Sequence, residues 1–334
     1  MRTAGPLSRP GDLGYGLDQF HRLLVGEKGC ARMNASELPL GVMAVMLPEL
    51  DLDEQLSLCR SLGVTHYTLR PRVIPDAERG RPYSNWGNHK FDLTPQRLLD
   101  EAATIREQLD DAGIMAFGTA PSAKTADADE QLRVDLEGAA AVGAGRVRVN
   151  PSPYPDRPFD YEAQVRREID RYAELVEMAR PLGIKLVIET HSRSLAASPA
   201  LAWNICRHFD PADVGVIFDL ANFSREGEIQ PHLAVSVLGK YIDHCHVGAS
   251  RRVSVGRDED GFEGRQSQFC AMADGDLHLP TWLKALSQAK IRVPLVIEDY
   301  TADVPGAQRL TDSVQQLRLA MAAADRSRMN GYSA

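Results

Sequence analysis

Four segments of the sequence end an apolar run with a side chain that could bind a metal ion. They are LVIE at Glu189, VIFD at Asp219, HCH at His244 and His246, and a second LVIE at Glu298. A buried carboxylate is costly unless another group neutralises it, and carboxylates that share one site repel each other. A divalent cation between them would remove that repulsion. Three carboxylates and one imidazole are an oxygen-rich ligand set, which favours Mn²⁺ or Mg²⁺, with Co²⁺ or Zn²⁺ as competitors.

A single acidic residue at the end of a strand has an ordinary structural explanation as a helix cap or a salt-bridge partner. Its recurrence at the ends of successive strands favours the metal site instead. Side chains alternate along a strand, so His244 and His246 lie on the same side, with His246 nearer the strand end. We therefore predict one divalent ion bound by Glu189, Asp219, His246 and Glu298. His244 is assigned either to core packing or to a position beside the ligands where it contacts substrate.

The elements that carry these residues follow a regular rhythm from Pro39 onward. Short apolar runs alternate with longer segments of helical periodicity, as in repeated βα units. The sequence predicts eight strands, over residues 40–46, 65–70, 114–119, 146–150, 185–189, 215–219, 242–247 and 294–298. Thr94 and Pro95 mark the start of one helix and Gly113 marks its end.

Eight strands that are each followed by a helix favour an α/β fold of one domain, a closed (β/α)₈ barrel, over an open doubly wound sheet. No GxGxxG follows the first strand, which argues against the dinucleotide-binding form of the open sheet. In a barrel the carboxyl ends of the strands meet at one mouth, so the four predicted ligands would converge there.

Long βα loops follow strands 2 and 7, over residues 71–93 and 249–276, and are candidate lids or oligomer contacts. Arg70 and His89, at and within the first of these loops, could reach the barrel mouth, but a solvated loop position is favoured for both. The predicted organisation is a flexible leader, the barrel and a short tail, over residues 1–38, 39–325 and 326–334. Met33 within the leader offers a second candidate start.

The composition limits the classes of binding partner that this protein is expected to have. Net charge is −8 with a pI near 5.6, and basic residues are dispersed among acidic ones, which argues against a nucleic-acid surface. No apolar run approaches the roughly 20 residues that cross a bilayer, so no membrane partner is expected. The five cysteines lack a CxxC pair, which predicts no disulfide framework and a reducing cytoplasm. A small molecule is the expected partner.

Five motifs in order resemble the xylose isomerase-like TIM barrel superfamily, the sugar phosphate isomerase/epimerase family. They are KLVIETHSRSLAASP, VGVIFDLANF, YIDHCHVGASRR, GDLHLPTWLKAL and VPLVIEDY. The resemblance covers about residues 40–323 and implies the same metal ligands. It also implies that Asn222 and Arg252 hold substrate hydroxyls. Position 222 is commonly histidine in the ketose 3-epimerases, which argues against a ketohexose epimerase specifically. Members often pair through their long βα loops, so a homo-oligomer is one expectation.

The ligand set and the resemblance together predict a metal-dependent isomerase or epimerase of a sugar or related polyhydroxy carbonyl compound. Glu189 and Glu298 would remove and return an α-proton through a metal-stabilised enediolate. His191 would either carry a proton to or from a substrate oxygen or be a loop histidine that packs on a neighbour. If His191 instead protonates a departing hydroxyl, the alternative is a lyase or dehydratase acting on a keto-inositol or a 3-keto sugar or glycoside. The intact acidic set argues against a non-catalytic sugar-binding barrel. The net charge argues against an abasic-site endonuclease.

Overall fold

The computed structural model describes residues 33–227 and 229–329, and eight parallel strands among them form a closed barrel. The barrel strands are β1 (Leu40–Met43), β2 (His66–Leu69), β3 (Met115–Thr119), β4 (Arg146–Arg148), β5 (Lys185–Glu189), β6 (Val214–Asp219), β7 (Ile242–Val247) and β10 (Leu295–Ile297). Around the barrel the order is β1, β10, β7, β6, β5, β4, β3 and β2. The predicted (β/α)₈ barrel is therefore confirmed.

The helices pack around this barrel. They are α1 (Leu52–Ser61), α2 (Pro95–Asp100), α3 (Ala102–Ala112), α4 (Asp129–Val142), α5 (Tyr161–Ala179), α6 (Pro199–Cys206), α7 (Leu220–Glu226), α8 (Pro231–Leu238), α9 (Leu279–Gln288) and α10 (Gly306–Met329). Thr94 accepts a hydrogen bond from the Arg97 backbone and caps α2. The predicted helix from Pro95 divides at Glu101, and Gly113 ends α3 with a positive φ of 68°.

The core has two parts because parallel strands in a barrel are covered on both faces. Every residue of β1, β6 and β7 is buried. The larger part lies between the strands and the helices. A small cluster of Met43, Val45, Phe117, Ala120 and Val296 forms a separate group. This packing fixes the strands, and with them the side chains at the strand ends.

The amino-terminal part of the described chain is packed rather than extended. Met33 and Ala35 are buried, and they lie in the stretch assigned to the leader. Asp325 on α10 accepts hydrogen bonds from the backbone N–H groups of Ala35, at 2.7 Å, and Ser36, at 3.2 Å. The contacts of the barrel thus begin before residue 39, because this carboxylate holds the segment against α10.

At the other end, α10 continues through residue 325 to Met329, so part of the stretch assigned to the tail is helical. Residues 1–32 and 330–334 lie outside the described residues. Among the described helices, none combines the length and apolar character that crossing a membrane requires.

The segment after β7, which the sequence pattern predicts to be a loop, contains regular secondary structure. Two antiparallel strands, β8 (Ser250–Arg257) and β9 (Glu263–Phe269), form a hairpin beside the barrel mouth. Most side chains of this hairpin are exposed, so it carries no strong apolar alternation. The loop after β2 is mostly irregular, with a single turn of 3₁₀-helix at Asp76–Glu78.

Candidate active site

Glu189, Asp219, His246 and Glu298 meet at the mouth of the barrel. Each stands at or beside the carboxyl end of its strand, on β5, β6, β7 and β10 in turn. One potential ligand atom from each residue lies within 4.8 Å of the corresponding atoms of the other three. All four residues are buried, with at most 8% of any one exposed. The convergence predicted from the strand ends is what the closed barrel produces.

The imidazole of His246 lies among the three carboxylates. Its Nδ1 atom is 3.3 Å from Glu189 Oε1, 3.6 Å from Asp219 Oδ2 and 3.1 Å from Glu298 Oε2. The other ring nitrogen, Nε2, is buried and has no hydrogen-bond partner among the described residues. One oxygen of each acid therefore faces the shared centre.

Side-chain bonds between neighbouring strands fix the ends of β5 and β6. The hydroxyl of Thr190 donates to the Ile217 carbonyl at 3.1 Å and accepts from the Asp219 N–H at 2.9 Å. Asn150 Oδ1 accepts the Glu189 N–H at 2.9 Å. These bonds replace the backbone hydrogen bonds of the sheet where the strands end. The carboxylates of Glu189 and Asp219 are therefore attached to rigid backbone.

Gly248, just after β7, allows β10 to approach closely. A Cβ atom at this position would lie 2.2 Å from the backbone oxygen of Glu298. No other residue fits beside that carbonyl without moving it, since non-bonded carbon and oxygen atoms do not approach so closely. The glycine therefore contributes to the placement of the Glu298 carboxylate beside His246.

Polar groups also hold the second oxygen of the two glutamates. Arg148 Nη1 donates to Glu189 Oε2 at 2.9 Å, and Asn150 Nδ2 donates to the same atom at 3.3 Å. Tyr300 Oη donates to Glu298 Oε1 at 2.6 Å. Each glutamate thus points one oxygen at the centre and has the other fixed by a donor.

Asn222 performs a similar role for Asp219. Its backbone N–H donates to Asp219 Oδ1 at 2.9 Å, which caps α7, and its side-chain amide donates to Asp219 Oδ2 at 2.8 Å. Asn222 also lines the cavity above the cluster.

The three carboxylates create a strong negative potential at the centre of the cluster. Burial opposes a charge on His246, but Glu298 and hydrogen bonds to Asp219 and Glu189 hold the pKa of His246 well above its ordinary value. Burial raises the pKa of Asp219 to about 6, with repulsion from Glu298 and Glu189. Burial also acts to raise the pKa of Glu189, yet Arg148 and His246 hold it well below its usual range.

The donor set fits a divalent cation. Three carboxylates carry three negative charges, and among the described residues Arg148 is the one permanent cation bonded to them. Two negative charges remain on buried oxygens whose free lone pairs face one point, and a divalent ion there would neutralise them. The single arginine bonds the outward oxygen of Glu189 and leaves Oε1 facing the centre. The buried cluster could therefore bind one metal ion, with three oxygen ligands and one nitrogen ligand.

A cavity of about 460 Å³ opens above the cluster, a size typical of small-molecule sites. Its walls include residues from the strand ends, from the loop after β2 and from the hairpin. They are Arg70, Trp86, Ser122, Lys124, Arg148, Asn150, Glu189, His191, Asp219, Ala221, Asn222, Arg225, Phe269, Glu298 and Tyr300. The predicted residue His191 is exposed on this wall, with its Nδ1 atom 2.7 Å from the Ser192 carbonyl oxygen.

Two predicted substrate residues lie elsewhere. Arg252 is exposed on β8, where its backbone N–H donates to Asp276, and it is absent from the cavity wall. His244 is buried beneath the cluster, with its ring centroid 5.2 Å from that of His246 and its Nδ1 2.9 Å from Asp243. Burial lowers the pKa of His244 to about 4, so this ring is neutral and packs within the barrel.

Several wall residues were missed or misplaced in the sequence analysis. Arg70 lines the cavity rather than a solvated loop, whereas His89 is half-buried and bonds to the Asn85 carbonyl. Arg148 and Asn150 carried a detectable signal, because they alternate with buried valines at the end of β4. Trp86 had none, since it lies in an irregular loop.

Comparisons with known proteins agree with this fold. The sequence model of the xylose isomerase-like TIM barrel family matches residues 56–320. No curated protein sequence matches the chain. The chain belongs to the xylose isomerase-like TIM barrel family.

Three solved structures illustrate the similarity. A xylose isomerase-like TIM barrel protein from Mycobacterium smegmatis in complex with magnesium has 16% identity and a TM-score of 0.60, over 87% of this chain and 99% of that one. The 3-keto-D-glucoside 4-epimerase YcjR from E. coli has 16% identity and a TM-score of 0.61, over 85% and 100%. An L-ribulose 3-epimerase has 13% identity and a TM-score of 0.61, over 89% and 99%. At these identities the likeness supports the fold alone.

Proposed function

We propose that this protein is a divalent-metal-dependent isomerase or epimerase of a sugar or related polyhydroxy carbonyl compound. The observation that carries the proposal is the set of four ligand atoms within 4.8 Å of one another, directly beneath a cavity. Two of the similar structures are named as sugar epimerases, which supports the substrate class. We favour Mn²⁺ or Mg²⁺, because three of the four ligands are carboxylate oxygens.

Glu189, Asp219, His246 and Glu298 would hold the ion. When bound, a divalent cation would polarise the substrate carbonyl and stabilise the negative charge that develops beside it. The residues of the chain then supply proton transfer, orientation and exclusion of water.

Glu298 is the better placed base of the two glutamates. The outward oxygen of Glu189 accepts hydrogen bonds from Arg148 and Asn150, whereas that of Glu298 accepts one, from Tyr300. A carboxylate with fewer donors keeps more of its basicity, so we assign Glu298 to remove the α-proton. Glu189, once it has taken up a proton from solvent, then returns one to the carbon, which inverts the configuration when the two glutamates act on opposite faces.

The wall positions the substrate. Trp86 stands at the opening with its ring 4.8 Å from that of Tyr300, and about half of its surface is exposed. An exposed indole can stack on the apolar face of a sugar ring and keep water from the reacting carbon. Asn222 and His191 present polar groups to the same space, and His191 can exchange a proton with a substrate oxygen.

His191 also supports the second candidate, a lyase or dehydratase acting on a keto-inositol or a 3-keto sugar or glycoside. Its exposed imidazole lines the cavity, where it could protonate a departing hydroxyl after Glu298 has removed the α-proton. A screen of ketoses, keto-inositols and 3-keto glycosides in D₂O separates the two. Deuterium uptake without loss of water indicates isomerisation, and loss of water indicates elimination.

The Glu298→Gln variant tests the proposed base. We expect exchange of the substrate α-proton with solvent to fall by about 10² to 10⁴, because the amide retains an oxygen for a metal but cannot accept the proton. NMR in D₂O measures the exchange, and elemental analysis measures bound metal. Glu259→Gln, on the exposed hairpin turn, is the matched control and should retain full exchange.

Two results would contradict the proposal. One is full activity in protein that elemental analysis shows to be free of metal. The other is undiminished exchange in Glu298→Gln.

A further inference from the structure

The mouth of the barrel is divided electrostatically. Acidic side chains end β5, β6 and β10, and they face the centre described above. On the opposite arc, Arg70 follows β2, Lys124 lies in the loop after β3 and Arg148 ends β4. All three cations line the same cavity as the acids. A substrate in this cavity would therefore contact both halves.

The cavity contains more positive side chains than are needed to balance the charge of its carboxylates once a divalent ion is bound. Arg148 is paired with Glu189, and a divalent ion would neutralise the charge that remains on the cluster. Within the described part of the chain, neither Arg70 nor Lys124 has a carboxylate within 4.0 Å of its charged nitrogens. The closest acid in sequence, Asp127, accepts the backbone N–H of Lys124 at 2.8 Å and lines an adjoining cavity instead.

The fold holds these cations close together. Arg70 donates to the Ala120 carbonyl and, at 3.1 Å, to Ser122 Oγ, while Arg148 Nη2 donates to the next carbonyl, that of Pro121, at 3.2 Å. Burial and the charge of Arg148 lower the pKa of Arg70 to about 10, so it is still a cation at neutral pH. Arg70 and Lys124 have no carboxylate partner among the described residues and share the cavity with Arg148, so their like charges are unfavourable until an anion enters.

We infer that the substrate carries an anionic group, a carboxylate or a phosphate ester, which binds to Arg70, Ser122 and Lys124 while its carbonyl end faces the ligand cluster. Arg70 uses two of its five N–H donors on the protein and has others for the anion, and Lys124 adds a point charge. Arg225, on the hairpin side of the cavity, adds to the positive field. The inference rests on the proposed function and narrows its substrate class.

Three ketoses with one carbon skeleton test it: D-fructose, D-fructose 6-phosphate and D-fructuronate. Isothermal titration of the full-length, Mn²⁺-loaded protein should show one of the two anionic ketoses binding at least about 10-fold more tightly than the neutral one, as expected for charge-assisted hydrogen bonds. The tighter anion identifies the group as phosphate or carboxylate. The preference should shrink as salt is raised.

Lys124→Gln should reduce the ratio of anionic to neutral affinity by about 10-fold, because it removes one charge-assisted contact. Lys124→Arg should restore most of that ratio, which a merely structural lysine would not require. The matched control is Lys90→Gln, whose ammonium pairs with Asp51 and Glu54 on the surface away from the cavity. It should leave the ratio unchanged.

The inference is overturned if D-fructose binds as tightly as both anions, if none of the three binds, or if Lys124→Gln leaves the ratio unchanged. Its failure is distinct from failure of the proposed function. Metal-dependent deuterium exchange without a preference for anions would remove only the inference. A preference for anions in a protein that holds no metal would remove only the proposed chemistry.

Discussion

Asp135 on α4 is a buried carboxyl group whose ionisation should destabilise the folded protein. The residue is 3% exposed, and its Oδ1 atom has no hydrogen-bond partner among the described residues. It lines the adjoining cavity, of about 450 Å³, whose wall shares Arg70 and Trp86 with the cavity above the ligand cluster. Burial raises the pKa of Asp135 to about 6. We therefore expect Asp135→Asn to stabilise the protein at neutral pH, because the amide needs no charge there.

The sign and magnitude of this change in stability follow from the linkage between proton binding and folding. The pKa of this carboxyl is raised on folding, so its ionisation destabilises the folded state, and the cost develops between the unfolded and the folded pKa. With an unfolded pKa of about 3.9 and a folded pKa of about 6, the cost is about 1 to 2 kcal/mol at pH 5 and about 3 kcal/mol at pH 7. Below about pH 3 it vanishes, because both states are protonated.

Urea unfolding at several values between pH 5 and pH 8 measures the difference in the free energy of unfolding between natural and variant protein. The gain in Asp135→Asn should grow across pH 5 to 6 and level off above pH 7. Asp111→Asn, at an exposed position on α3, is the control, with an expected change within about 0.5 kcal/mol at every pH. A gain that does not vary with pH, or a loss of stability at pH 7, would refute the reasoning.

Two further substitutions test how the site is held. Gly248→Ala should weaken metal binding by about 10- to 100-fold, because the added Cβ would lie 2.2 Å from the Glu298 backbone oxygen, and metal titration measures this. Gly145→Ala has open space and should bind metal normally, so equal losses in both variants would count against the role of Gly248. Tyr300→Phe should lower kcat about 10-fold with metal content unchanged, because it removes the hydrogen bond to Glu298 and keeps the ring contact with Trp86. Loss of metal in this variant would show that the hydroxyl supports binding rather than orientation.

The repeating units and the ligand set could be predicted from the sequence because both depend on local pattern. Eight apolar runs with helical segments between them indicate the barrel, and a barrel brings its strand ends together. Glu189, Asp219, His246 and Glu298 could be selected on that ground alone, since each ends or closely follows a buried run. Period-two alternation places His244 and His246 on the same side of β7, and proximity to the strand end distinguished His246, in the cluster, from His244, which lies beneath it.

The partners of these ligands depend on tertiary structure. Arg148 reaches Glu189 across 41 positions, and no local rule specifies which carboxylate a given arginine will meet. Arg252 was selected by resemblance, but the chain after β7 folds into an exposed hairpin, and Arg225 lines the cavity instead. The sequence alone determines the barrel strands, the helical segments between them and the acids at the mouth, because these follow from periodicity and burial. Closure of the barrel decides which charges meet and which stay unpaired, because only closure sets the distances between residues remote in the chain.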